Sequence, residues 1–434
     1  MQVDVWFDFS CPYAYLASER IEAIAAAAGA RVVWQPMLLG GVFRATRSDD
    51  GPMATLGPAK AAHNARDMHR WAEVLGVPLA IPPAHPMRTV RALRVLLGLP
   101  EAAWPPVIHS IYAAYWQRGE DITRDEVIDR ALASAGIEDE VRSSAFAGAD
   151  TDAIKDELRA RTDRAIGLGV FGAPAMIVRR DGAPPALFWG QDRLDQVAAA
   201  LAGWDPDHAA PPGGPRSAAE GLVAAASPTT PTTIDFWFDL ASPFAYLGAT
   251  QIEQVAAAAG ARVHWRPILL GGLFRAIGTP DVPLFAMPEA KRRYAGGELD
   301  RFARWWGVPF TFPTRFPMRT VAAQRVLAAA PDDVRGALAR ALFRAYWVED
   351  RDISRADVIA EVCAAAGHAA LAARADDPAA KQALIDETSA AQQAGVFGVP
   401  TCTIPTDGAP LLFWGQDRLA LAGRAAAGWR PRAR

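Results

Sequence analysis

The stretch Phe7-Asp8-Phe9-Ser10-Cys11-Pro12-Tyr13-Ala14-Tyr15-Leu16 decides the fold of this chain. Just before it, Val3 to Phe7 alternate in polarity and are rich in β-branched and aromatic side chains, which predicts a strand. Pro12 suits the first position of a helix, because its missing N–H needs no partner there and its φ is already helical. The stretch therefore predicts a strand that gives way to a helix, with Cys11 at the helix N-terminus.

A second copy of this stretch places a serine where the first has a cysteine. It reads Phe238-Asp239-Leu240-Ala241-Ser242-Pro243-Phe244-Ala245-Tyr246-Leu247, so that Ser242 lies 231 residues after Cys11 (242 − 11). A side chain in this position lies beside unpaired N–H groups and the positive end of the helix dipole, where an anion such as a thiolate is stabilised. An ordinary helix cap is the alternative interpretation, since serine is among the preferred N-cap residues.

The repeat continues along both halves. A predicted strand at residues 31–36 returns at residues 262–267, with the same offset of 231. Gly169-Val170-Phe171-Gly172-Ala173-Pro174 returns as Gly395-Val396-Phe397-Gly398-Val399-Pro400, and two predicted strands and a helix follow each copy. Between these landmarks strand signals disappear and helical periodicity takes over, which predicts a helical insertion in each half.

We predict an α/β protein of two tandem domains. The first domain spans residues 1–204 with its insertion at about 45–168, and the second spans 233–430 with its insertion at about 276–394. Residues 205–232 are rich in Pro, Gly, Ala, Ser and Thr, which predicts a flexible linker. A chain of that length spans roughly 30 Å. This reach lets the two halves pair as an intramolecular pseudo-dimer.

Composition argues against several classes of function. A formal net charge of −3 gives no strong field for nucleic acid or an anionic membrane. The apolar runs are too short to cross a bilayer and no signal peptide is recognisable, so we expect a cytoplasmic protein that acts on a small molecule. The three cysteines, Cys11, Cys363 and Cys402, form no CxxC pair, and we predict neither a disulfide framework nor a metal site.

The order of predicted elements resembles a thioredoxin fold with an inserted all-helical domain in each half. More narrowly, each half resembles the 2-hydroxychromene-2-carboxylate isomerase family, which is related to kappa-class glutathione transferases and DsbA-like oxidoreductases. The motifs that carry the resemblance are Asp239-Leu240-Ala241-Ser242-Pro243-Phe244, Leu269-Leu270-Gly271-Gly272, Gly395-Val396-Phe397-Gly398-Val399-Pro400 and Phe413-Trp414-Gly415-Gln416-Asp417.

The resemblance implies glutathione as the cofactor and an isomerase of aromatic catabolism as the function. In that reaction the glutathione thiolate adds reversibly to a conjugated 2-oxo acid, which isomerises before release. The alternatives are a kappa-like glutathione transferase, which releases a stable conjugate, a thiol-disulfide oxidoreductase that uses Cys11, and a binding protein without catalysis.

The resemblance also assigns the site residues. Ser242 would bond the glutathione sulfur, Pro400 would follow a cis peptide bond, and the backbone of Val399 would pair with the peptide-like middle of glutathione. Gln416 and Asp417 would meet its γ-glutamyl end at a helix N-terminus. Lys291 would bind a carboxylate. Arg88 and Arg319, which stand where the family often carries asparagine, would bind a substrate carboxylate. The first-half counterparts of the glutathione site are Lys60, Ala173, Pro174, Gln191 and Asp192. The alternatives are a solvent-facing lysine for Lys291 and an ordinary N-cap for Asp417.

Cys11 is the main departure of the first half from this pattern. Its place at a helix N-terminus predicts a reactive thiol, since such placement can lower a cysteine pKa to roughly 3.5–7.5. No second cysteine stands at Ala14 to resolve a mixed disulfide. The alternative is a half-buried cysteine that fills the space of the serine.

Overall fold

The structure, a computed structural model, describes residues 1–46, 56–222, 232–279 and 283–432. In the first half its strands are β1 (Gln2–Phe7), β2 (Arg31–Pro36), β3 (Ala175–Arg179) and β4 (Ala186–Trp189). The helices are α1 (Pro12–Ala27), α2 (Leu39–Ala45), α3 (Pro58–Leu75), α4 (Val90–Leu97), α5 (Trp104–Tyr112), α6 (Asp125–Ser134), α7 (Asp139–Gly148), α8 (Asp152–Gly167) and α9 (Leu194–Leu201).

The second half repeats this order. Its strands are β5 (Thr233–Phe238), β6 (Arg262–Pro267), β7 (Thr401–Ile404) and β8 (Leu411–Trp414). The helices are α10 (Pro243–Ala258), α11 (Leu270–Ile277), α12 (Pro283–Ala286), α13 (Glu289–Trp306), α14 (Val321–Ala329), α15 (Asp332–Trp347), α16 (Ala356–Ala365), α17 (Pro378–Gln393) and α18 (Leu419–Ala426).

Each half is built on a four-stranded sheet. In the first half β1 pairs in parallel with β2 and antiparallel with β3, which pairs antiparallel with β4, giving the order β2-β1-β3-β4. The second half has the order β6-β5-β7-β8, with the same strand directions. All described elements between β2 and β3, and between β6 and β7, are helical. The predicted fold class, two tandem thioredoxin-like domains with helical insertions, is confirmed.

A buried tryptophan in each helical insertion holds the loop that precedes the first helix of the sheet domain. The indole N–H of Trp116 donates to the carbonyl of Phe9 at 2.9 Å, and that of Trp347 donates to the carbonyl of Leu240 at 2.8 Å. Both indoles are fully buried, so each bond links the insertion to the Cys11 or Ser242 loop in a dry environment.

The segment that follows the first half contacts both halves over residues 205–222. The indole N–H of Trp204 donates to the carbonyl of Ala209 at 2.8 Å, and the amide of Arg216 donates to the carbonyl of Trp305 at 2.8 Å. Leu222 packs against the second core. Residues 223–231 of the predicted linker lie outside the described residues.

Helix α3 contacts the edge strand of the other half, and α13 makes the corresponding contact in return. Arg70 of α3 donates to the carbonyl of Leu412 in β8 at 2.6 Å. Arg301 of α13 donates to the carbonyl of Leu187 in β4 at 2.8 Å. These bonds satisfy carbonyls of the edge strands, which would otherwise be unpaired.

Ion pairs between the halves repeat in the same way. Arg193 lies 2.8 Å from a carboxylate oxygen of Glu298 and 2.7 Å from one of Asp417. Its counterpart Arg418 lies 2.9 Å from Asp67. The Arg193 side chain is 6% exposed and that of Glu298 10%, so water screens their attraction poorly. Loss of one partner therefore leaves a buried charge without compensation.

Replacing Arg193 by methionine tests this cluster. We expect Arg193→Met to lower the free energy of unfolding by about 3–5 kcal/mol, because the Glu298 carboxylate stays buried without its guanidinium. Urea unfolding followed by tryptophan fluorescence measures the change. The matched control is Arg315→Met, whose arginine is 73% exposed beside Asp352 and should cost less than about 1 kcal/mol. Equal losses in the two variants would show that the cluster contributes no more than a surface pair.

Candidate functional site

Ser242 lies where the start of α10 meets the loop before β7. Its Oγ accepts a hydrogen bond from the amide of Ala245 at 3.1 Å and donates to the carbonyl of Val399 at 3.3 Å. The peptide bond between Val399 and Pro400 is cis, as expected. Ser242 is therefore an N-cap, and its hydroxyl also faces the cis-proline loop.

A buried carboxylate lies beneath the Ser242 loop. Asp239 accepts hydrogen bonds from the amide of Ala241 at 3.0 Å, the amide of Leu270 at 2.7 Å and the hydroxyl of Thr320 at 2.8 Å. Burial raises the pKa of Asp239, and these three bonds act in the opposite direction. Asp239 was not among the predicted site residues. The available signal was an acidic residue at the end of an apolar strand, present in both repeats.

In the first half Cys11 occupies the same position but is a buried thiol. Its Sγ donates to the carbonyl of Ala173 at 3.0 Å, next to the cis bond before Pro174. Burial raises the pKa of the Cys11 thiol to about 12, although hydrogen bonding from the amide of Ala14 opposes the shift. The expectation of a lowered pKa is wrong, because the loss of hydration outweighs the helix terminus.

Asp417 does not cap a helix. It lies in a 3₁₀ turn, Gln416–Arg418, and α18 begins only at Leu419. Gly415 precedes the turn with φ 108°, a value that favours glycine. The N-cap alternative is therefore wrong, and the Asp417 carboxylate instead faces Arg193 of the other half.

Asp192, its counterpart, belongs to the same ion cluster. Its carboxylate contacts both Arg193 and Arg418. Burial opposes ionisation of Asp192, but the two guanidiniums outweigh it and lower the pKa. The structure thus brings the predicted Asp192 and Asp417 together at the boundary between the halves, where both contact Arg193 and Arg418, two residues outside the predicted site.

Gln191 and Gln416 precede these aspartates, and both are buried. Gln191 is 1% exposed, and neither polar atom of its side-chain amide has a hydrogen-bond partner among the described residues. Gln416 is 4% exposed. A buried amide without partners is costly, and a polar ligand that bonded Gln191 would remove that cost.

The two predicted lysines each lie against a tryptophan of the opposite half. The Lys60 ammonium is 4.7 Å from the ring centre of Trp414, and that of Lys291 is 5.1 Å from the ring centre of Trp189. Burial lowers the pKa of both lysines, and the charge of Lys291 lowers that of Lys60 further. The solvent-facing alternative for Lys291 is wrong, because its ammonium lies over the Trp189 ring and is partly buried.

Arg88 and Arg319 are both exposed. Neither forms an ion pair with another described residue. On either side of Arg319 the chain is anchored, since the amide of Met318 donates to the hydroxyl of Tyr346 at 3.0 Å and Thr320 donates to Asp239. The backbone of Arg319 is thus held near the Ser242 loop while its guanidinium is accessible.

The described part of the chain contains neither a membrane-spanning helix nor a cluster of metal ligands. None of its helices is both long enough and apolar enough to span a bilayer. Nor do three or more His, Cys, Asp or Glu side chains lie together there as metal ligands would.

The serine, the cis proline and the four-stranded sheet recur as one arrangement in both halves, with cysteine replacing serine in the first. The DsbA-like thioredoxin domain family matches the chain twice, over residues 2–202 and 233–425. This chain belongs to the DsbA-like thioredoxin domain family. The matched residues include Cys11, Ser242 and both cis prolines.

Individual relatives are about half as long as this chain, and each is matched over most of its own length. A 2-hydroxychromene-2-carboxylate isomerase of Sphingobium xenophagum is 29% identical over 190 residues, 43% of this chain and 94% of that protein. Glutathione S-transferase kappa 1 of Rattus norvegicus is 26% identical over 204 residues, 44% and 89%. A solved 2-hydroxychromene-2-carboxylate isomerase matches 46% of this chain and 94% of its own, at 26% identity and a TM-score of 0.41.

The raised pKa of Cys11 predicts an unreactive thiol. In the folded protein we expect no alkylation of Cys11 by iodoacetamide at about pH 9, where an unperturbed thiol is largely ionised, because the thiol stays protonated until about pH 12. Cys363 and Cys402 are also buried and free, so mass spectrometry should find no label on the native chain and three labels after unfolding. The Cys11→Ser variant identifies the peptide. Rapid labelling of Cys11 at neutral pH would contradict this prediction.

Proposed function

We propose that the protein is a glutathione-dependent enzyme and that Ser242 is its catalytic residue. The reaction is an isomerisation of the 2-hydroxychromene-2-carboxylate type, on a 2-oxo acid of aromatic catabolism. The observation that carries the proposal is the position of the Ser242 hydroxyl, between the N-terminus of α10 and the cis-proline loop. Relatives named as isomerases and as kappa glutathione transferases support it.

The residues present fit glutathione. The sheet pairing of β5 with β7 ends at Trp237 and Thr401, two residues after Val399, so the Val399 backbone is outside the sheet ladder and can pair with a peptide-like ligand. The partly buried ammonium groups of Lys60 and Lys291 suit carboxylates. In the first half the unpartnered amide of Gln191 adds a donor and an acceptor that a polar ligand could bond.

Bound glutathione would supply a nucleophilic thiolate. Ser242 acts by donating its hydroxyl hydrogen to the sulfur, a bond that favours the ionised form. The hydroxyl can turn to do so, because its present bond to Val399 is long at 3.3 Å. The N-terminus of α10 favours negative charge at the same place. Arg319 offers a guanidinium for the substrate carboxylate.

A kappa-like glutathione transferase is the second candidate, since kappa transferases are among the relatives. Product analysis separates the two candidates. An isomerase returns glutathione unchanged with an isomer of the substrate, whereas a transferase yields a stable conjugate. Exchange of disulfides through Cys11 is disfavoured by the protonated, buried thiol. The three free cysteines agree with action in the reducing cytoplasm.

The Ser242→Ala variant tests the proposed role of the serine. We expect the pKa of bound glutathione, followed by thiolate absorbance, to rise towards the unperturbed value of about 8.5, and affinity measured by calorimetry to fall roughly threefold to tenfold. Cys11→Ala is the matched control at the equivalent position, and it should leave thiolate formation intact. Because Ser242 also caps α10, thermal unfolding must show that the variant is folded. An unchanged thiol pKa would remove Ser242 from the mechanism.

We also propose that the halves form a pseudo-dimer within one chain. The ion pairs and edge-strand bonds between them support this arrangement. Solution scattering should give one compact particle, and sedimentation should give the mass of one chain at micromolar concentration. The Arg193→Met variant should expand the particle if the halves separate. Two resolved beads in the wild type, without a shared interface, would reject the pairing.

A further inference from the structure

An open cavity of about 320 Å³ lies on the second half, between α10, β6 and α15. Its volume falls at the lower end of the range of small-molecule sites, roughly 300–1,000 Å³. Ala257, which lines the cavity, lies 15 residues after Ser242 (257 − 242) on the same helix. That separation is about 22 Å along a helix axis. The cavity is therefore separate from the proposed active site.

Trp265 lines this cavity, and its indole N–H has no acceptor among the described residues. The residue is 4% exposed, and edge contacts with Phe236 and Phe238, at ring-centre distances of 5.2 Å and 5.5 Å, hold its ring in place. A Cβ on Gly336, which also lines the cavity, would lie 2.4 Å from the indole nitrogen. The glycine thus keeps that edge of the ring uncovered. An indole N–H is only a donor, so it suits an acceptor on a ligand.

The first half satisfies the equivalent tryptophan with its own side chains. The indole N–H of Trp34 donates to Glu22 at 3.2 Å, and the imidazole of His109 lies 3.1 Å from the same carboxylate. At the offset of 231, the second half has Arg340 in place of the histidine. Arg340 forms an ion pair with Glu253, the counterpart of Glu22. The second-half carboxylate is thus bound to a guanidinium, and the tryptophan donor is left to the cavity.

Two charged residues of the lining have no ion-pair partner among the described residues. They are Arg262 and Asp333, and both are exposed. The neighbouring Asp332, by contrast, is bound to Arg335 at 2.6 Å. A guanidinium pairs with a carboxylate, and a carboxylate pairs with an ammonium group. The cavity therefore offers one free cation and one free anion to a ligand.

The uncharged remainder of the lining is small and apolar. Beside Trp265 it consists of Gly336, Ala256, Ala257, Ala261, Val263 and Ala337. Apolar surface is stabilised when it is removed from water, so these side chains favour an aliphatic group on the ligand. The cavity thus combines the contacts that a zwitterion with an aliphatic side chain needs.

We infer that this cavity binds a small aliphatic α-amino acid. The α-carboxylate pairs with Arg262 and accepts the indole N–H of Trp265. The α-ammonium group pairs with Asp333, and the aliphatic side chain lies against the alanines. Binding is non-covalent and takes place apart from Ser242, so the inference does not depend on the proposed function.

The test uses the full chain and L-leucine as the probe, with two analogues that each lack one charge. Isocaproate has no ammonium group, and isoamylamine has no carboxylate. Calorimetry should show that L-leucine binds once per chain and more tightly than either analogue. Arg262→Gln should weaken binding of L-leucine and isocaproate roughly tenfold and leave that of isoamylamine unchanged. Asp333→Asn should weaken binding of L-leucine and isoamylamine by a similar factor and leave that of isocaproate unchanged.

Two further variants test the cavity itself. Ala337→Trp fills it from an exposed position and should abolish binding of L-leucine. Trp265→Phe keeps an aromatic ring but removes the indole donor, and it should weaken binding roughly threefold to tenfold. The matched control is Arg31→Gln, at the first-half counterpart of Arg262, which should leave the affinity unchanged. Thermal unfolding should show every variant to be folded.

Three results would overturn the inference. The first is no saturable binding of L-leucine at millimolar concentration. The second is unchanged binding in Ala337→Trp, which would place the ligand elsewhere on the chain. The third is isocaproate binding as tightly as L-leucine, which would show that the ammonium group and Asp333 make no contact.

Glutathione titration of the same proteins keeps the two proposals separate. L-leucine should not displace glutathione, and Ala337→Trp should bind glutathione with wild-type affinity, because the cavity and Ser242 lie towards opposite ends of α10. If the wild type bound L-leucine as expected but no glutathione, the proposed function would fail while the amino-acid site stood. If glutathione bound and L-leucine did not, the amino-acid site would fail alone.

Discussion

The buried carboxylate of Asp239 is the constraint on which the geometry of the second-half site depends. It ties together three segments that are far apart in sequence, through the amides of Ala241 and Leu270 and the hydroxyl of Thr320. A buried carboxylate needs such donors, because removing it from water without them would be very costly. Ser242 directly follows Ala241, whose amide is bonded to Asp239, so the position of the Ser242 hydroxyl is fixed. The first half repeats the arrangement with its own aspartate.

At the boundary between the halves, the two repeats make equivalent contacts with different side chains. The amide of Trp414 donates to the imidazole of His63 at 3.3 Å, and in the equivalent place the amide of Trp189 donates to the hydroxyl of Tyr294 at 3.0 Å. Burial lowers the pKa of His63 to about 4, so at neutral pH its ring is uncharged and can accept. The tyrosine hydroxyl also donates onward, to Glu298 at 3.1 Å. Each half thus satisfies the amide at the end of its partner's edge strand with a different acceptor.

The sequence was enough to predict the strands, the repeat and the positions of Cys11 and Ser242, because alternation and proline are local signals and the offset of 231 is counted along the chain. The sequence pattern could not predict the ion cluster, in which Arg193 contacts Asp417 of the other repeat, because it does not show which remote segments lie close together in the fold. Nor could it predict the pKa of Cys11. The sequence shows that the thiol is next to a helix terminus, but the degree of burial depends on the whole domain, and burial decides the sign of the shift.

The two halves differ chemically because the first has Cys11 where the second has Ser242. A serine hydroxyl is a good donor at any physiological pH, and that of Ser242 donates to the carbonyl of Val399 through a long bond of 3.3 Å. The Cys11 thiol is a weak donor and is already directed at the carbonyl of Ala173. Its high pKa also prevents it from acting as the nucleophile itself. The same frame thus carries a serine hydroxyl in the second half and a buried thiol in the first, and the first half also supplies the surface that Arg301 of α13 and Arg418 bind.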